Sequence, residues 1–135
     1  MSETDRAYLA GIIDGEGTIT VWSGRYDHRT VTVAVVMCDK EAVEMFHREF
    51  GGCLFYVEKN NPKWKNSWRW AIKSQKAKPV LEAALPYLRI KARQAETALR
   101  LIGSFAHVGG RTTPEQRETQ RILHERIVSL NRRAA

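Results

Sequence analysis

Glu16 ends a segment in which small residues recur at every fourth position: Ala7, Gly11 and Gly15. On a helix that spacing puts all three on one stripe, flanked by Ala10 and Asp14. The large apolar residues Tyr8, Leu9, Ile12 and Ile13 cover the remainder, so most of the helix is expected to be buried. A glycine inside a helix costs about 1 kcal/mol relative to alanine, so Gly11 asks for a packing reason. Close approach of a second helix supplies one, and a second copy of the same helix is a natural partner. Two-fold pairing then sets one Glu16 beside the other. Paired carboxylates at helix C-termini, where the helix dipole is also negative, suit a hard divalent cation. An ordinary buried helix containing glycine is the alternative.

A second chemical signal is the location of charge. The net charge is +7, yet residues 1–57 carry five Lys and Arg against nine Asp and Glu, a net of −4, while residues 58–135 carry 17 against six, a net of +11. Within residues 59–78, Lys59, Lys63, Lys65, Arg69, Lys73, Lys76 and Lys78 occur without an acid, interleaved with Trp64, Trp68 and Trp70. Cations that meet phosphates release counterions, so this stripe suits a nucleic-acid backbone. A solubilising surface has the same composition, and the tryptophans suit core packing equally well.

These residues need elements to carry them. Thr4 or Asp5 can cap a first helix running to about Asp14, which Gly15 and Gly17 stop. Thr18–Trp22 and Thr30–Val35 read as strands of a hairpin, with Thr on one face and Val or Ile on the other. Asp39 caps a second helix with Ala42, Val43, Phe46 and Phe50 on its buried stripe. Leu54–Glu58 and Trp68–Lys73 form a second strand pair around the turn Asn60-Asn61-Pro62. Lys78–Leu85 is a short helix with Pro79 in its first turn, and Lys91–Phe105 a longer one with Ala95, Leu99, Ile102 and Phe105 inward. After a break at Val108-Gly109-Gly110, the capping box Thr113-Pro114-Glu115-Gln116 opens a last helix with Leu123, Ile127 and Leu130 inward. The pattern is α+β in a single domain, residues 1–135.

Leu9-Ala10-Gly11-Ile12-Ile13-Asp14-Gly15-Glu16-Gly17 resembles the motif that names the LAGLIDADG homing endonucleases, agreeing at six of nine positions. Leu88-Arg89-Ile90-Lys91-Ala92-Arg93-Gln94-Ala95 is similar to the stretch carrying that family's active-site lysine. The likeness extends over most of the chain and is loose over residues 107–135. It implies the order αββαββα plus C-terminal helices, with the antiparallel β-sheet as a saddle over the DNA major groove. The implied activity is a site-specific double-strand DNA endonuclease serving intron mobility. It would cleave a long pseudo-palindromic target by metal-dependent phosphodiester hydrolysis and leave 3′ overhangs. On this resemblance Glu16 and Lys91 are catalytic, and Mg²⁺ is held by Glu16 with the Gly15 carbonyl.

A single copy of the motif implies a homodimer, with Ala7, Ala10, Gly11, Asp14 and Gly15 at its interface. The DNA-binding residues are then Thr18, Thr20, Trp22, Arg25, Arg29, Thr30, Thr32, Glu58, Asn60, Lys63, Lys65, Arg69 and Lys73. A Thr-rich strand face exposed only to solvent would look the same. The resemblance also implies a Gln near the end of the second strand, where this chain has Met37 or a neighbouring Val. Non-cleaving DNA-binding proteins and RNA-splicing maturases share the fold and stand as alternatives.

Composition closes off other classes. No apolar run approaches the roughly 20 residues that cross a bilayer, so no membrane is expected, and nothing suggests a small-molecule substrate. The acidic start is followed by no signal-type apolar stretch, which points to an intracellular, unsecreted protein in the cytoplasm or in an organelle holding the host intron. Cys38 and Cys53 sit in strand-like apolar contexts and are expected as buried free thiols, without a zinc spacing.

Overall fold

Ser2 starts the first helix. Its hydroxyl accepts from the Asp5 N–H at 3.1 Å, and the Asp5 carboxylate accepts in return from the Ser2 N–H at 3.3 Å. The cap therefore falls on Ser2, with Asp5 as its reciprocal partner, rather than on Thr4 or Asp5. In the computed structural model, which describes residues 1–25, 28–105 and 112–133, the elements follow in the order α1 (Glu3–Glu16), β1 (Gly17–Ser23), β2 (Arg29–Met37), α2 (Lys40–Phe50), β3 (Cys53–Val57), β4 (Ser67–Lys73), α3 (Lys78–Ala84), α4 (Ala92–Gly103) and α5 (Pro114–Arg133). Short 3₁₀ turns lie before and after α3. This is the expected αββαββα order followed by two C-terminal helices, α4 and α5; the break at Val108–Gly110 lies outside the described residues.

The strands form one four-stranded antiparallel sheet in the order β1-β2-β4-β3. The register pairs Thr20 with Thr32 and Trp22 with Thr30, then Thr32 with Lys73 and Val36 with Arg69, then Arg69 with Phe55. Directly paired residues point to the same side, so period two assigns the two faces. One face holds Ile19, Val31, Val33, Val35, Trp70 and Ile72, all inside the core with Leu9 and Ile13 of α1 and Phe46 of α2. The other carries Thr18, Trp22, Phe55 and Lys73, all exposed.

Trp70 anchors the core. Its ring centroid lies 4.9 Å from that of Phe46, and its Nε1 donates to the Gly51 carbonyl at 2.7 Å. Trp68 stays at the margin beneath the Lys40 ammonium, whereas Trp64 is exposed. At the far end of the chain, Asn131 Nδ2 of α5 donates to the Ile19 carbonyl of β1 at 2.9 Å. Gln116 and Thr113 form the expected capping box before α5.

Two expectations about burial fail. Cys38 and Cys53 are exposed, because Cys38 lies past the end of β2 and Cys53 opens β3 opposite Ala71 on the open face of the sheet. Tyr8 is exposed as well: α1 buries the stripe Leu9, Ala10 and Ile13, with Ile12 partly buried against the core. Among the described residues, no helix is long and apolar enough to cross a membrane.

The junction from α1 to β1 is tight. A Cβ on Gly17 would lie 2.8 Å from the Ile13 Cα and 2.9 Å from its carbonyl oxygen, both backbone atoms that cannot step aside. Gly17→Ala should therefore cost about 1–3 kcal/mol, as overpacking does. Urea denaturation checks this, and an unchanged midpoint would contradict the tight junction.

Candidate active site at the end of the first helix

The last turn of α1 ends in carbonyl groups with acceptor capacity to spare. Two of them are reached from far along the chain: the Lys91 ammonium donates to the Ile13 carbonyl at 2.9 Å, which also accepts from the Gly17 N–H, and to the Asp14 carbonyl at 3.0 Å. A cation at this end also offsets the negative pole of the helix dipole. Lys91 itself is the residue before α4, and the turn ahead of it is tied down by Asp14, whose carboxylate accepts from the backbone N–H groups of Arg89, Ile90 and Lys91 at 2.8, 3.2 and 2.9 Å. Burial lowers the pKa of Lys91, while the nearby Asp14 and Glu16 charges oppose that shift.

Glu16, the final residue of α1, is exposed and makes no hydrogen bond or ion pair among the described residues. Its carboxylate and the neighbouring Gly15 carbonyl are hard oxygen donors of the kind that Mg²⁺ or Ca²⁺ takes. Among the described residues, no three His, Cys, Asp or Glu side chains gather into a site within one chain. Val36 shares the open sheet face and Met37 packs toward the core, so neither supplies the amide oxygen that the resemblance implies near this strand end.

The face of α1 turned away from the core is made of Ala7, Tyr8, Gly11 and Gly15, all exposed. A Cβ on Gly11 or Gly15 would meet nothing within 4 Å, so nothing within the chain requires a glycine there. Of the residues expected on this face, Ala10 is not there: it is 0% exposed, in the core of its own chain. The Asp14 carboxylate is bonded within the chain.

On the open sheet face, Thr18, Thr20, Trp22, Thr30, Thr32, Arg69 and Lys73 share one side, as period two requires. Trp22 is the most prominent, at 67% exposed, while Thr32 lies beneath its neighbours at 3% with its hydroxyl unpartnered. Arg25 is exposed in the first hairpin loop. Glu58, Asn60, Lys63 and Lys65 lie in the exposed β3–β4 loop, which Asn66 holds through the Lys59 N–H at 2.8 Å and Asn61 through the Lys63 N–H at 3.0 Å.

Arg29, expected among the DNA-binding residues, lies at the start of β2 on the core-facing side, away from the open face, and its Nε donates to His124 Nδ1 of α5 at 3.1 Å. Phe55, exposed beside Arg69, was missed because only the β3–β4 register shows that it shares the open face.

No protein-family model matches the chain, and no curated protein sequence matches it. Its structure is similar to solved homing endonucleases. I-CvuI in complex with its DNA target in the presence of calcium shares 20% identity over 95% of this chain and 82% of its own, with a TM-score of 0.75. The archaeal intron-encoded I-Vdi141I complexed with DNA gives 13% identity, 95% and 84% coverage and a TM-score of 0.75. The LAGLIDADG enzyme I-SmaMI bound to cleaved DNA gives 18% identity and a TM-score of 0.62, over 87% of this chain and 42% of its own. The chain has the LAGLIDADG homing-endonuclease fold.

Lys91 yields a pH test. A partly buried ammonium costs the folded state while it is protonated, and that cost is relieved as pH rises through the lowered pKa toward the ordinary 10.5 of the unfolded chain. The urea midpoint of the wild type, measured against Lys91→Met, should climb across this window. A flat or falling difference would show that Lys91 is not perturbed.

Proposed function

We propose that two copies of this chain pair through the open face of α1 and cut double-stranded DNA in a divalent-metal-dependent reaction. The observation that carries this reading is Glu16: an unpartnered carboxylate at the end of an exposed small-residue stripe, beside a lysine held in the last turn of the same helix. I-SmaMI, which this chain covers over only 42% of its length, supports two copies working as one unit. The DNA in the complexes of I-CvuI, I-Vdi141I and I-SmaMI supports the substrate class.

In a two-fold pair, Ala7, Gly11 and Gly15 let the helix backbones approach, and each chain contributes one Glu16. The two carboxylates, the Gly15 carbonyls and phosphate oxygens of the bound strand make a donor set for Mg²⁺. When bound, the cation lowers the pKa of water and neutralises charge on the phosphate. Lys91 carries a further positive charge to the same place, where it favours the extra negative charge of the transition state.

The open sheet face does the holding. Arg69, Lys73 and the loop residues Lys63 and Lys65 meet backbone phosphates, while Thr18, Thr20, Thr30 and Trp22 lie against base edges in the major groove. Two-fold symmetry calls for a pseudo-palindromic target. Paired cuts across the minor groove of such a site leave 3′ overhangs.

A target selected from a randomised duplex library with Mg²⁺ provides the assay. Glu16→Gln should keep its affinity for that target and lose at least about 10²-fold in single-turnover cleavage, the scale of a lost charge-stabilising group. A variant that cuts as fast as the wild type would remove Glu16 from the mechanism. Gly11→Leu, whose side chain has free space in the single chain, should leave the fold intact and convert the pair to monomers. Sedimentation equilibrium showing an undisturbed dimer would refute the α1 interface.

A further inference from the structure

We infer that Asp14 is a positioning residue that fixes Lys91 against the end of α1, serving neither the second copy nor the metal. The inference rests on the roles proposed above for Glu16 and Lys91. Asp14 grips Lys91 at two places: its carboxylate takes the Lys91 backbone N–H at 2.9 Å, and its own carbonyl takes the Lys91 ammonium at 3.0 Å. The same carboxylate uses its other oxygen for the Arg89 N–H and shares the first with Ile90, so the whole turn before α4 is pinned by one side chain.

No local reason favours an acid there. A carboxylate in the last turn of a helix stands at the unfavourable pole of the dipole, and α1 has no basic residue in that turn to offset it. What favours it is the set of three charge-assisted bonds from the backbone N–H groups of Arg89, Ile90 and Lys91, all in the turn that precedes α4. The point where Lys91 leaves the backbone is thereby set by a residue two positions from Glu16. The carboxylate and the ammonium at the candidate site are thus held in register through one side chain.

Asp14→Asn keeps the shape but loses the charge and one acceptor. In the metal-free protein the amides of Arg89, Ile90 and Lys91 should lose their protection from hydrogen exchange, and the hydrogen-bonded ¹⁵Nζ signal of Lys91 should disappear. With the selected target and Mg²⁺, saturating single-turnover cleavage should fall by about tenfold to a hundredfold, the usual loss when a supporting partner is removed, while target affinity and dimer mass stay unchanged. A general structural defect would lower affinity and rate together.

An unaltered Lys91 signal in Asp14→Asn overturns the inference whatever happens to cleavage. If instead the wild type cuts nothing, the enzyme reading falls and the spectroscopy still decides the positioning. Should Asp14→Asn not fold, Asp14→Glu replaces it, because the longer carboxylate displaces the turn; a Glu variant with the wild-type rate would refute the role. Should neither fold, rapid exchange at residues 89–91 in the wild-type protein would refute it.

Discussion

The end of α1 is an electrostatic problem that the rest of the molecule is arranged to solve. Three sources of negative character meet there: the dipole of the helix, the Asp14 carboxylate and the Glu16 carboxylate. Among the described residues one cation, Lys91, reaches into that last turn, and it arrives from 77 residues along the chain. Its arrival requires α3 and the turn after it to pack beside α1, which brings Tyr87 Oη within 2.9 Å of Glu3 Oε1 at the opposite end of the helix. With Asp14 balanced internally, Glu16 is the carboxylate at this end that makes no hydrogen bond or ion pair among the described residues. In the proposed reaction that imbalance is the attraction for a divalent cation.

The sheet follows from the same helix. Gly17 leads the chain out of α1 within one residue, so β1 begins where Glu16 ends and its phase is fixed by the helix. Once Ile19 is placed in the core, alternation alone turns Thr18, Thr20 and Trp22 to the open face. Pairing then extends this assignment across β2 and β4 to Arg69 and Lys73. The open face and the candidate site are therefore set in fixed relation by covalent geometry, with no flexible linker between them. Recognition and chemistry would be coupled at that junction.

Much of this was legible in the residues. Alternating Thr and Val named both strands of the first hairpin and its two faces, and Asp39 and Thr113 announced their helices. What escaped was decided by contacts between distant segments. Ala7 and Ala10 look alike in sequence, and only the position of the sheet makes one exposed and the other core. Asp14 reads as an interface acid until the backbone at residues 89–91 is brought against it. Arg29 looks like a loop cation because the start of a strand has no sharp mark, yet one residue of phase sends it to His124. The pair β3–β4 was recognised without its register, which hid Phe55 and led to the wrong burial for Cys53.

The bond from Asn131 to the Ile19 carbonyl bears on how copies of the molecule avoid one another. β1 is an edge strand, and an edge with a free row of carbonyls and amides is a template for another chain. By laying α5 along that margin and occupying one acceptor, the chain blunts strand addition at the edge strand that continues from α1. An acceptor held in this way is withheld from a second chain, so sheet-to-sheet addition, which has no natural stopping point, is disfavoured at this edge, whereas the proposed pairing through α1 would close at two.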